Sequence, residues 1–244
     1  MADPDSSTGL LRDRLGQMLN YSLTQMIYVA AKLNIADLLA NGPRSVEEIA
    51  ATVGAHPRSL YRLLRALASL GIFEEDSNGR FGLTPLAELL QTEREGSLHP
   101  FALSYGEPWW WDAWGRLLHS VQTGETAFNT VHGQSLFEYF DQHHEAAKIF
   151  NANMRSMTAG EAKTLANAYD FSQTRLMVDV GGGLGTMATA VLQAQPGAKA
   201  ILFDLPSVIA GARGYLAAGS EGRCQLVAGS FFEWVPRGGD TYLL

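Results

Sequence analysis

Apolar residues recur at helical spacing from Leu10 to Leu39, at Leu11, Leu15, Met18 and then Leu23, Met26, Ile27, Ala30 and Leu33. With Asn20 and Gly42 as punctuation, this predicts two helices. The first has little neighbouring sequence to cover its apolar stripe, so a second copy of the chain is the expected cover. Ser45-Val46-Glu47-Glu48 reads as a capping box, in which Ser45 accepts from the backbone three residues on while Glu48 reaches back, opening a short helix to about Val53. His56-Pro57 opens another helix, expected to bury Leu60, Leu63, Leu64 and Leu67 and to end near Gly71. Short β-prone runs at 72–75 and 80–83 flank Asp76-Ser77-Asn78-Gly79, and Asn-Gly between such runs signals a hairpin.

Helix, turn, helix and hairpin make a winged-helix arrangement, which in many proteins reads a DNA groove through basic residues of its second helix. Arg58, Arg62 and Arg65 do share one face. Against that, residues 1–100 carry 9 basic and 12 acidic side chains, and the whole chain has a net charge of −7, which repels polyphosphate at long range. A solvated face of a structural domain is expected, and no nucleic-acid partner.

Eleven of the 24 aromatic residues fall between Phe101 and Phe150, among them Trp109, Trp110, Trp111 and Trp114. That density suits a helical core at a domain junction whose inner wall also houses a flat apolar ligand. From Arg175 onward the pattern changes. Leu176–Val180, a glycine loop, a helix over 186–195 and Ala200–Phe203 read as a strand, crossover helix and parallel strand. A helix over 207–216 and strands at 225–228 and 241–244 extend the unit.

At 244 residues, with 46% hydrophobic and 18% charged side chains, the chain has room for two modest globular domains and is too apolar for intrinsic disorder. Cys224 is its single cysteine, so no internal disulfide forms. The first residues lack an export signal, and no run approaches 18 apolar residues. A cytoplasmic protein with no membrane contact is expected.

The richest chemistry lies in Asp179-Val180-Gly181-Gly182-Gly183-Leu184-Gly185, where a buried strand turns into a helix and the backbone can approach a ligand closely. Nineteen residues past Gly185, at the end of the next strand, Asp204 is placed to accept both hydroxyls of a ribose. The loop also satisfies a dinucleotide fingerprint through Gly183, Gly185 and Ala188, a weak pattern alone. Charge separates the two nucleoside ligands. A carboxylate about 4 Å from another unit charge is worth about 4 kcal/mol at an effective dielectric of 20. Asp179 therefore repels a pyrophosphate and attracts an ammonium or sulfonium, which favours S-adenosylmethionine.

These segments, with Phe203-Asp204-Leu205-Pro206, Gly229-Ser230-Phe231-Phe232-Glu233, Val235-Pro236, Phe150-Asn151-Ala152-Asn153-Met154 and the winged stretch from Ala50 to Leu90, resemble the small-molecule O-methyltransferases of the caffeate and hydroxyindole type over nearly the whole chain. The resemblance implies an α/β protein: a mainly helical winged-helix dimerisation domain followed by a Rossmann-like methyltransferase domain, incomplete after its fourth strand. The expected division is a disordered 1–9, a dimerisation domain over 10–100, a helical connector and acceptor-pocket region over 101–165, and the donor-binding domain over 166–244.

It further implies metal-free methyl transfer from S-adenosylmethionine to a small aromatic acceptor, within a homodimer formed through the N-terminal helices. In the family pattern Asp179, Gly181, Gly182 and Gly183 hold the methionine moiety, Asp204 the ribose, and Leu205 and Phe231 pack on adenine, beside Ser230. Met154 and Thr158 approach donor and acceptor, while Phe150, Trp110 and Trp111 wall the acceptor pocket.

Two departures stand out. Ser230 occupies a position where the family usually has an acid that accepts from the adenine amine, so weaker donor binding is expected. The sequence also stops at Leu244, before the family's His-Asp-Trp segment with its proton-accepting histidine. No catalytic residue is assigned within the chain, which is expected to be inactive or nearly so. His56, His99, His119, His132, His143 and His144 have no metal-ligand spacing and are expected at the surface or at helix caps. The readings left as alternatives are a ligand-sensing winged-helix regulator and an NAD-linked oxidoreductase.

Overall fold

A computed structural model of the chain describes residues 4–216, 220 and 222–244. They form two compact units, Met1–Gly133 and Gln134–Leu244. The boundary falls inside the stretch 101–165 that was expected to be one connector, whose aromatic positions are therefore shared between the units.

In the first unit, α1 (Pro4–Met18) begins within the tail expected to be disordered. Proline suits a first helical position, and no second proline interrupts the run to Met18. Asn20 caps α2 (Tyr21–Lys32), its Oδ1 accepting from the Leu23 N–H at 3.2 Å. The helical periodicity that predicts a second helix to Leu39 is broken at Asn34, which is left-handed at φ 50°, so α3 (Ile35–Leu38) is separate.

The Ser45 capping box is present. Its N–H donates to Glu48 Oε2 at 2.8 Å, and the Glu48 N–H donates to Ser45 Oγ at 3.3 Å, opening α4 (Val46–Val53). His56 caps α5 (Pro57–Ser69), where Leu60, Leu64 and Leu67 recur on one buried face against Ile49, Phe73 and Phe81. Leu63 is only partly buried. The hairpin β2 (Phe73–Glu75) and β3 (Arg80–Leu83) gains a two-residue partner, β1 (Arg44–Ser45), giving the antiparallel order β1-β3-β2. On the basic face of α5, Arg65 is paired with Glu75 at 2.5 Å, and the Tyr61 hydroxyl donates to the same carboxylate.

Short helices α6 (Pro85–Glu88), α7 (His99–Gly106), α8 (Pro108–Trp114), α9 (Leu117–Thr123) and α10 (Ala127–His132) complete this unit. His99 is neither at the surface nor a cap: it is buried, with Nε2 3.0 Å from both the Ala31 carbonyl and Asn34 Oδ1. The left-handed turn at Asn34 presents these acceptors.

The second unit opens with α11 (Leu136–Gln142), capped by a Ser135–Glu138 box, and the long α12 (His144–Ala168). Four parallel strands follow: β4 (Leu176–Val180), β5 (Lys199–Asp204), β6 (Cys224–Ala228) and β7 (Thr241–Leu243), in the order β6-β5-β4-β7. The crossovers carry α13 (Thr186–Ala194) and α14 (Pro206–Ala212). β4 is buried from Met177 to Val180, as a parallel strand covered on both faces must be. Among the described residues no helix is long and apolar enough to cross a membrane.

Candidate functional site

The carboxyl ends of β4 and β5 carry the glycine loop and Asp204, the place where doubly wound sheets open a ligand crevice. Gly181 turns the chain off β4 at φ +68°, and its N–H donates to the Phe203 carbonyl at 2.8 Å. Gly182 must lack a side chain for a different reason. A Cβ there would lie 2.5 Å from both Asp179 Cγ and Leu202 Cδ1. The loop thus rests directly on the Asp179 carboxyl and on a β5 side chain that sequence reasoning did not single out. Gly185, at φ +83°, delivers the chain into α13.

Asp179 is 4% exposed, and its Oδ2 accepts from the Ala188 N–H at 3.0 Å, in the first turn of α13. Burial pushes its pKa up to about 6, against that hydrogen bond, and the charge of Asp204 adds to the rise. The Ala188 N–H is the contact that favours the ionised form of this buried carboxyl beneath the loop.

Asp204 is half-buried. Its Oδ2 accepts from the Gly183 N–H at 2.8 Å and its Oδ1 from the Leu205 N–H at 2.7 Å. An ionised carboxylate has about four lone-pair sites, so one on each oxygen remains for an outside donor. Leu205 leads into α14. Phe231 reaches the loop from the segment after β6: a Cβ on Gly181 would lie 3.5 Å from its Cε1, so the half-exposed ring flanks the glycine turn. Ser230 Oγ accepts from the Phe232 N–H at 3.3 Å. Trp234, which sequence reasoning passed over, packs on Phe203 with ring centroids 4.8 Å apart.

The structure therefore gathers Asp179, Gly181, Gly182, Gly183, Asp204, Leu205 and Phe231 at one end of the parallel sheet, with Ser230 immediately before Phe231 in the chain. Phe150, Met154 and Thr158 lie on α12 of the same unit. Phe150 packs on Phe140 at 4.9 Å, Met154 is exposed, and the Thr158 hydroxyl donates to the Met154 carbonyl at 2.6 Å. Trp110 and Trp111 belong to α8 in the other unit. There Trp110 contacts Tyr105, Trp109 and Trp114, and Trp111 contacts Tyr21.

Comparison with known proteins adds the following. The family model for an O-methyltransferase dimerisation domain matches residues 15–93, and that for an O-methyltransferase domain matches residues 114–244. A phenazine O-methyltransferase of Lysobacter antibioticus is 46% identical over 231 residues, 94% of this chain and 67% of the relative. The solved mitomycin 7-O-methyltransferase is 35% identical with a TM-score of 0.89, covering 98% of this chain and 71% of that one. An O-methyltransferase of neocarzinostatin biosynthesis, solved with S-adenosylmethionine and 2-hydroxy-5-methyl naphthoic acid, is 32% identical with a TM-score of 0.78, covering 93% and 70%. The chain spans 60–67% of the length of the curated relatives it matches.

Proposed function

The chain belongs to the O-methyltransferase family, and from that premise we propose that it binds S-adenosylmethionine at the glycine loop and serves methyl transfer to a hydroxyl of a small aromatic acceptor, as a homodimer. This reading replaces the regulator and the oxidoreductase, neither of which belongs to that family. The observation that carries it is the pairing of Asp204 Oδ2 with the Gly183 N–H, which fixes a carboxylate with free lone pairs at the mouth of the loop.

The residues present suit the donor. Asp204 would accept both ribose hydroxyls, Phe231 and Leu205 would flank the adenine, and the loop N–H groups would take the methionine carboxylate. The buried negative charge of Asp179 favours a ligand with cationic groups over a pyrophosphate. Ser230 offers a neutral acceptor near the adenine, so Ser230→Asp is expected to tighten donor binding.

The bound donor supplies a methyl group on a positively charged sulfur. The chain's part is alignment and exclusion of water, which for well-oriented reactants is worth roughly 7 to 11 kcal/mol. Phe150, Met154 and Thr158 on α12 are the proposed acceptor-facing side chains of the second unit. Proton removal is assigned to no described side chain. Four of the histidines are engaged within the first unit, and His143 stacks on Tyr139.

The test uses methyl-labelled S-adenosylmethionine, first in equilibrium dialysis and then with aromatic hydroxy acids. Donor binding displaced by S-adenosylhomocysteine, with slow appearance of label as a methyl ether, is expected. A chain that retains no labelled donor overturns the reading.

A further inference from the structure

Trp234 packs back against the residue that opens the turn carrying Phe231. The Glu233 and Trp234 N–H groups both donate to the Ser230 carbonyl, at 2.9 and 3.1 Å, so 230–234 is one closed turn. From its end the Trp234 indole packs on the buried ring of Phe203, with centroids 4.8 Å apart. Both rings crowd Gly229, where a Cβ would lie 2.7 Å from Phe203 Cε2 and 2.9 Å from Trp234 Cζ2. The Gly229 N–H donates to the Asp204 carbonyl at 3.0 Å. Phe203, Gly229 and Trp234 thus lock the turn to β5.

Phe231 has less to hold its own ring. It is 49% exposed, the Phe232 ring it meets at 4.5 Å is 88% exposed, and Gly181 beside it offers no side chain. A ring so placed takes its position from its backbone, and that backbone is fixed through Trp234. Gly181 is set from the same strand, by its N–H bond to the Phe203 carbonyl.

We propose that Trp234 is a positioning residue for the methyl donor: its indole, wedged against Phe203 and Gly229, holds the 230–234 turn so that the Phe231 ring is in place to stack on the adenine. This rests on the reading that S-adenosylmethionine binds at the glycine loop with its adenine against Phe231. Trp234 acts through Phe231, by ordering the turn before the donor arrives and so removing an ordering cost from binding.

The test is a double-mutant cycle read by calorimetric titration of S-adenosylhomocysteine. Phe231→Ala should weaken binding about ten-fold, as loss of a ring stacked on a base does. Trp234→Ala should weaken it about five-fold or more when Phe231 is present, and less than about two-fold when Phe231 is already alanine, because the ring it positions is gone. Trp234→Phe keeps an aromatic face against Phe203 and should restore affinity to within about two-fold of the wild type. Where Trp234→Ala does not fold, Trp234→Leu, which keeps an apolar contact with Phe203, takes its place in the cycle with the same expectation.

Losses that simply multiply in the double variant would place the effect of Trp234 elsewhere than Phe231 and overturn the inference. Unchanged affinity in Trp234→Ala or in Phe231→Ala, or a Trp234→Phe as weak as Trp234→Ala, also overturns it. A wild type that does not bind S-adenosylhomocysteine removes the donor reading of the loop together with the inference. If the wild type binds, Phe231→Ala weakens binding and Trp234→Ala does not, that reading stands and only the role of Trp234 falls.

Discussion

The Gly183 N–H donates to Asp204 Oδ2 at 2.8 Å, tying the loop that follows β4 to the last residue of β5. One carboxylate thereby fixes the loop and, in the proposed complex, the ribose. Replacing it removes two charge-assisted ligand bonds, each worth about 1.5 kcal/mol or more. Asp204→Ala is expected to weaken S-adenosylhomocysteine at least about 100-fold in a calorimetric titration. Asp204→Asn keeps an acceptor for Gly183 and should lose less. Equal affinity in all three proteins would remove Asp204 from the site.

Asp179 makes stability depend on pH. Its folded pKa of about 6 lies above the ordinary 3.8, so the folded chain holds the proton more tightly than the unfolded one. The associated stabilisation is full below about pH 4 and is lost as pH rises through about 6, an effect of order 3 kcal/mol. Asp179→Asn abolishes it while keeping an oxygen for the Ala188 N–H. Urea unfolding at pH 4 and pH 8 should show the variant gaining on the wild type at the higher pH. Parallel curves would mean that the carboxyl is not desolvated.

Gly182→Ala tests close packing. The added Cβ would fall 2.5 Å from Asp179 Cγ and Leu202 Cδ1, and overpacking of this kind costs about 1–3 kcal/mol. The lowered urea midpoint should be accompanied by loss of donor binding. Gly197→Ala, where nothing lies within 4 Å, serves as the control and should change neither.

The helix α1 carries Leu10, Leu11, Leu15 and Met18, all exposed in the single chain. For a homodimer through these helices, Leu11→Glu with Leu15→Glu should halve the mass found by light scattering and leave the circular dichroism of the sheet intact. A dimer that persists would move the interface elsewhere.

The sequence made the second unit readable because β4 and β5 are largely apolar runs separated by a glycine loop and a crossover helix, and β4, β5, β6 and β7 lie close to the expected positions. The Ser45 capping box and α5 were readable because local side-chain chemistry sets them, although the Ser135–Glu138 box of the same kind was not singled out. By contrast, β1 is two residues long and exists only through its pairing with β3, which no local pattern announces. The burial of His99 depends on the left-handed turn at Asn34, 65 residues away in sequence. In the candidate site the glycines and Asp204 stood out by spacing. Leu202 beneath Gly182 and Trp234 on Phe203 did not, because apolar side chains carry no sign of which neighbour they will touch.

The most direct measurement is a competitive titration of the protein with S-adenosylhomocysteine and NADH. One-site binding of S-adenosylhomocysteine, unaffected by excess NADH and without enhancement of nicotinamide fluorescence, is the predicted result. Saturable NADH binding that S-adenosylhomocysteine cannot displace would contradict the account.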